Sequence, residues 1–137
     1  MSTARKLTLA GLIVALLLLG MGAYAVNELY IPLKLLRNEA WWDSATVAER
    51  REVCHKLIRP PLLVEHDAVT RLAEVGDDTS VGVLIRALPR NEGPHVCTYS
   101  HCLDVLRKLT GHDAGNRFAD WRRWWEEEGR DRFAEDQ

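Results

Sequence analysis

A chain of 137 residues is one domain's worth, with room for a tail. At 47% hydrophobic and 28% charged it has ordinary globular chemistry, which excludes wholesale disorder. Its net charge of −2 lacks the basic excess of a polyanion binder, so nucleic acid is not an expected partner.

The strongest signal lies at the N-terminus. Arg5 and Lys6 precede an uncharged run from Leu7 to Val26 in which only Thr8 and Tyr24 carry polar side-chain groups. A helix of that length rises roughly 30 Å, about the thickness of a bilayer's hydrocarbon core. A small domain cannot hide such a helix from water on all sides, so residues 7–26 are expected to meet the membrane. Two fates compete. Ala23-Tyr24-Ala25 has the small-x-small pattern of a signal-peptidase site, which would release the chain after Ala25. Alternatively the stretch stays as a signal anchor. Either way the basic flank stays in the cytoplasm and the remainder is expected outside it.

Residues 1–26 are thus read as an anchor or signal peptide, 27–42 as an amphipathic connector, 43–129 as a helical module and 130–137 as a charged, frayed tail. In the connector, Leu29, Leu33 and Leu36 share a helical face, and Pro32 is expected to start a new helix or kink a continuous one. Trp41 and Trp42 close it, either packed on the module or lying at the bilayer surface.

The module has helical period throughout, which predicts an all-α fold. A first helix is capped by Asp43 or Ser44 and runs to about Ile58, before Pro60-Pro61. A second spans Glu65 to Val75 with Gly76 at its C-terminal cap, and a third follows Asp77-Asp78-Thr79 to about Leu88, before Pro89. Residues 90–94 read as a loop, and a fourth helix runs from about His95 to Leu109. A last helix begins after Asp113 or Asn116 and ends before Gly129.

Two of these helices look like copies. At an offset of 34 residues, Ala68, Val69, Leu72 and Val75 align with Cys102, Leu103, Leu106 and Leu109. A period in this range suggests stacked helical hairpins forming a short solenoid. The run Ala68-Val69-Thr70-Arg71-Leu72-Ala73-Glu74-Val75-Gly76-Asp77, followed by Val81-Gly82-Val83-Leu84-Ile85-Arg86-Ala87-Leu88, resembles short bacterial HEAT-like repeats. Leu109-Thr110-Gly111-His112-Asp113 and Trp121-Arg122-Arg123-Trp124-Trp125 resemble a C-terminal segment of exported HEAT-like proteins. The resemblance implies a protein–protein scaffold.

Phe118, Trp121, Trp124 and Trp125 fall on one aromatic stripe, suited to capping the open end of such a stack or to meeting a partner. On the polar faces of the hairpins, Arg71, Arg86 and Arg90 are the candidate partner contacts.

The chain carries no Gly-rich phosphate loop and no HExxH, GxSxG or CxxC motif, so neither catalysis nor a cofactor is expected. Cys102 falls on an apolar stripe and reads as core. Cys97 and His101 stand i, i+4 on a helix with His95 just before them. That trio is the alternative to a metal-free reading: donors for Zn²⁺ or Cu⁺, against the plainer reading of a solvated face. The expected role is a membrane-anchored, non-enzymatic adaptor for a protein partner. A soluble exported module and an accessory subunit of a membrane complex are the other readings.

Overall fold

The computed structural model describes residues 3–59, 63–88 and 97–133, with side chains from Ala10 onward. Among these residues the all-α class holds, apart from one two-residue strand pair.

Helix α1 spans Thr3–Ala25 and exposes its apolar side chains, Leu12 through Met21 among them. It continues through a π turn, Val26–Tyr30, into α2, Ile31–Leu36. The Ile31 N–H donates to the Val26 carbonyl across this wider turn. The turn falls just before Pro32, which has no N–H to give to the residue four positions back, so the helix stays continuous. The stretch Ala10–Leu36 is long and apolar enough to cross a membrane, a test that a signal sequence also passes.

Helix α2 is where this long helix meets the module. Pro32 and Leu36 are buried. One turn earlier, Glu28 pairs with Arg59 at 2.7 Å and with Lys56 at 3.8 Å. Helix α3, Glu39–Ser44, is capped by Asn38, whose Oδ1 accepts from the Trp41 N–H. Trp42 is buried, and Trp41 meets it edge to face with ring centroids 6.1 Å apart. The tryptophan pair therefore packs on the module.

Helix α4, Val47–Lys56, starts later than expected. Its cap is Thr46, not Asp43 or Ser44. The Thr46 hydroxyl accepts from the Glu49 N–H at 3.2 Å and the Glu49 carboxylate accepts from the Thr46 N–H at 2.8 Å. This reciprocal pair satisfies two donors that Asp43 or Ser44 would leave open. The helix also stops short of Ile58. Arg59 precedes a proline, which disfavours helical backbone there. Instead β1, Ile58–Arg59, pairs antiparallel with β2, Leu63–Val64, in the register Ile58 to Val64.

Helix α5, His66–Val75, buries the stripe Ala68, Val69, Leu72 and Val75. Helix α6, Asp78–Ala87, is capped by Asp77 and buries nearly all of its length. Helix α7, Cys97–Thr110, buries Tyr99, Cys102, Leu103, Val105 and Leu106, and lies against both α5 and α6. It ends at Gly111, which takes the left-handed φ of 65°. Residues 60–62, 89–96 and 134–137, with the expected helix stops and the loop at 90–94, lie outside the described residues.

The C-terminal helix differs from expectation. Helix α8, Phe118–Trp124, runs on through a π turn, Trp125–Gly129, into α9, Arg130–Arg132. Gly129 does not end it. A Cβ there would sit 2.9 Å from ring carbons of both Trp124 and Trp125, so only glycine lets the backbone pass this close. Phe133, expected in a frayed tail, is buried beside Trp124 at a centroid distance of 5.9 Å. The core is one cluster that reaches from Leu36 to Phe133.

Candidate functional site

Helices α5 and α7 lie side by side, so their first turns are neighbours. His66 opens α5 and Cys97 opens the described part of α7. His66 Nε2 is 3.3 Å from Cys97 Sγ. The His101 ring, one turn further along α7, meets the His66 ring edge to face with centroids 4.8 Å apart. One donor atom from each of the three residues lies within 4.8 Å of the other two. Both histidines are half-buried and the thiol is exposed. On the far side of the His66 ring, Nδ1 is 3.2 Å from the Asp67 carboxylate. Two imidazoles and a thiol are donors for a borderline or soft cation.

The sequence had suggested Cys97 and His101 together with His95. His95 lies outside the described residues. The third donor that the fold supplies is His66, which sequence spacing alone had missed. A signal was present: the offset of 34 between α5 and α7 carries His66 to position 100, between Cys97 and His101.

The other cysteines are of a different kind. Cys54 and Cys102 are buried, and burial pushes each thiol up to about 12. They are core residues, as the stripe predicted for Cys102. All three cysteines are free thiols.

Ser80 and His55 form a second polar contact, with Ser80 Oγ 2.8 Å from His55 Nε2. The Ser80 hydroxyl is fully buried and also accepts from the Asp77 N–H at the start of α6. It serves the helix cap and offers no face to a substrate.

The candidate partner contacts divide. Arg71 is turned inward: its Nη2 donates to Glu39 at 2.6 Å and its guanidinium covers the Trp42 ring. Arg86 is the one exposed residue between Ser80 and Leu88. It borders a shallow cleft with Glu52, Lys56, Arg59 and Val83. Arg90 lies outside the described residues. In the aromatic stripe Trp121 and Trp124 are buried while Phe118 and Trp125 are half-buried. The Trp121 Nε1–H donates to the Gly115 carbonyl at 2.9 Å, and the His112 ring stacks on Trp124 at 4.8 Å. The loop beneath them is tied by Arg107, which donates to Asp113, Gly115 and Asn116. The Arg107 hydrogen bond, helped by the Gly115 N–H, holds the Asp113 carboxyl below its ordinary value.

Comparison with protein-family models, with curated proteins and with solved structures returned no match.

Proposed function

We propose that the protein is a membrane-anchored helical adaptor that presents a docking surface to a protein partner and carries out no reaction of its own. The observation that carries this reading is the helix Ala10–Leu36, long and apolar enough to cross a membrane, which runs directly into the module. The helix passes through Ala23-Tyr24-Ala25 without a break and continues into α2, whose Leu36 belongs to the core. The Glu28 ion pairs tie its base to Arg59 and Lys56. Glu28 and Leu36 lie beyond Ala25, so these contacts stay with the module whether or not the segment before them is removed. Arg5 and Lys6 before the span support a module on the exocytoplasmic side.

The module is read as a short HEAT-like stack. Helices α5 and α7, whose apolar stripes repeat at an offset of 34, lie against each other as equivalent helices of successive hairpins do. Burial of Trp121 and Trp124 favours the capping role of the aromatic stripe over an exposed partner-binding face. The docking face is assigned to the cleft bordered by Arg86, Glu52, Lys56, Arg59 and Val83.

The test is an intact mass of the protein recovered separately from membrane and soluble envelope fractions. Full-length chain in the membrane fraction is the expected result. A chain beginning at Val26 in the soluble fraction overturns the anchor and leaves a free exported module. Crosslinking from Arg86→Cys in the membrane, with Thr70→Cys as an off-face control, then identifies what docks.

A further inference from the structure

We infer that His66, Cys97 and His101 bind a single d¹⁰ cation, Zn²⁺ or Cu⁺, where α5 and α7 begin. The donor types come first. One thiolate and two neutral imidazoles suit these two ions and suit neither Mg²⁺ nor Ca²⁺, which take oxygen donors.

Geometry comes next. An ion about 2.3 Å from sulfur and about 2.0–2.1 Å from nitrogen needs its donor atoms roughly 3.3–3.7 Å apart. The His66 Nε2 to Cys97 Sγ distance is already 3.3 Å, and the full set of donor atoms lies within 4.8 Å. Small side-chain rotations of His101 close the remainder. Cys97 and His101 are one turn apart on the same face of α7, and His66 comes from the neighbouring helix. The two helices are fixed by their buried stripes, so the donors stand on rigid elements.

A further contact points the same way. A metal-binding histidine commonly gives its other ring N–H to a carboxylate, which fixes the tautomer. Here His66 Nδ1 faces Asp67 Oδ1 at 3.2 Å, which leaves the Nε2 lone pair directed at Cys97. Without metal, the Cys97 S–H donates to that nitrogen. On binding, the thiol proton leaves to solvent and the ion takes both the sulfur and Nε2. The exposed position of Cys97 gives the ion a way in. Three donors complete a trigonal Cu⁺ site, or leave one position on a tetrahedral Zn²⁺ for water or a donor from the docked partner.

The experiment uses the full chain in mild detergent. Zn²⁺ is titrated against a competing chelator, and Cu⁺ likewise under anaerobic reducing conditions, with bound metal counted by elemental mass spectrometry. One ion per chain is expected, and the tighter of the two identifies the site's metal. Co²⁺ in place of Zn²⁺ should give a thiolate-to-metal charge-transfer band that disappears in Cys97→Ser. His66→Ala and His101→Ala should each weaken binding by more than tenfold, and Asp67→Asn by about tenfold. Independently of any variant, the metal should protect Cys97 of the native chain from alkylation. Three results overturn the site: no ion retained, half an ion per chain from two Cys97 thiols of different copies, or an affinity indifferent to His66→Ala while the variant keeps its helical circular dichroism.

Discussion

The Arg71 guanidinium lies over the Trp42 indole, 4.3 Å from its centroid, and donates to Glu39 Oε1 from the same fork. This contact joins α5 to α3 and so binds the tryptophan pair to the module. Stacking on a buried ring is worth about 1–2 kcal/mol, whereas the exposed Glu39 end contributes little. Arg71→Ala should therefore cost about 1–2 kcal/mol in urea unfolding, and Glu39→Ala no more than about 0.5. Arg71→Lys should fail to restore the loss, because an ammonium lacks the planar face that stacks.

Trp121 is fully buried and satisfies its N–H on the Gly115 carbonyl. Trp121→Ala should cost about 3–5 kcal/mol, read from a thermal or urea melt. Trp121→Phe keeps most of the apolar contact, and Arg107 still donates to the Gly115 carbonyl, so it should cost clearly less than Trp121→Ala. Gly129→Ala is the complementary experiment, since its new methyl group meets Trp124 and Trp125 at 2.9 Å. It should destabilise by about 1–3 kcal/mol through overpacking, although alanine is the better helix former. A variant that gained stability would show that the Trp124 and Trp125 rings yield.

The parts that were legible in the sequence are those set by local chemistry. Gly76-Asp77 and the Ala68, Val69, Leu72, Val75 stripe define where α5 ends and which face it buries. The start of α4 was misread because Asp43, Ser44 and Thr46 are all cap formers, and only Thr46 has a glutamate three residues on. The β1–β2 pair is too short to show alternation. Phe133 was lost among charges because one aromatic has no period, yet it finds the Trp124 ring. The His66 donor belongs to another helix, so its approach to Cys97 is tertiary and only the repeat offset hints at it.

Cys54 and Cys102 give the fold a dependence on alkaline pH. Burial raises both thiols from an ordinary value of 9.0 to about 12, so the folded state keeps protons that the unfolded chain gives up. The sign follows: this contribution is fully present below about pH 9 and is lost as pH rises toward about 12. Within that window each thiol steepens the decline by up to about 1.4 kcal/mol per pH unit. Urea unfolding from pH 8 to 11 should therefore show a shallower slope for Cys102→Ala than for the native chain, whatever the variant's starting stability. Equal slopes would mean that the Cys102 thiol ionises in the folded state as readily as in the unfolded one.

Glu28 holds the base of the long helix, and Leu36 holds α2 to the core. The two contacts should separate experimentally. Glu28 pairs with a half-exposed Arg59, so Glu28→Gln should change the module's stability by no more than about 1 kcal/mol. Leu36 is buried to 1% exposure, and Leu36→Ala should cost about 2–5 kcal/mol. Yet Glu28→Gln should be the variant that loosens the joint. With the charge gone, Arg59 and Lys56 release the π turn, and limited proteolysis between Val26 and Ile31 should accelerate in detergent while the melting temperature stays put. A melting temperature that fell with Glu28→Gln as far as with Leu36→Ala would place the joint inside the cooperative unit, making the end of the long helix part of the folded module.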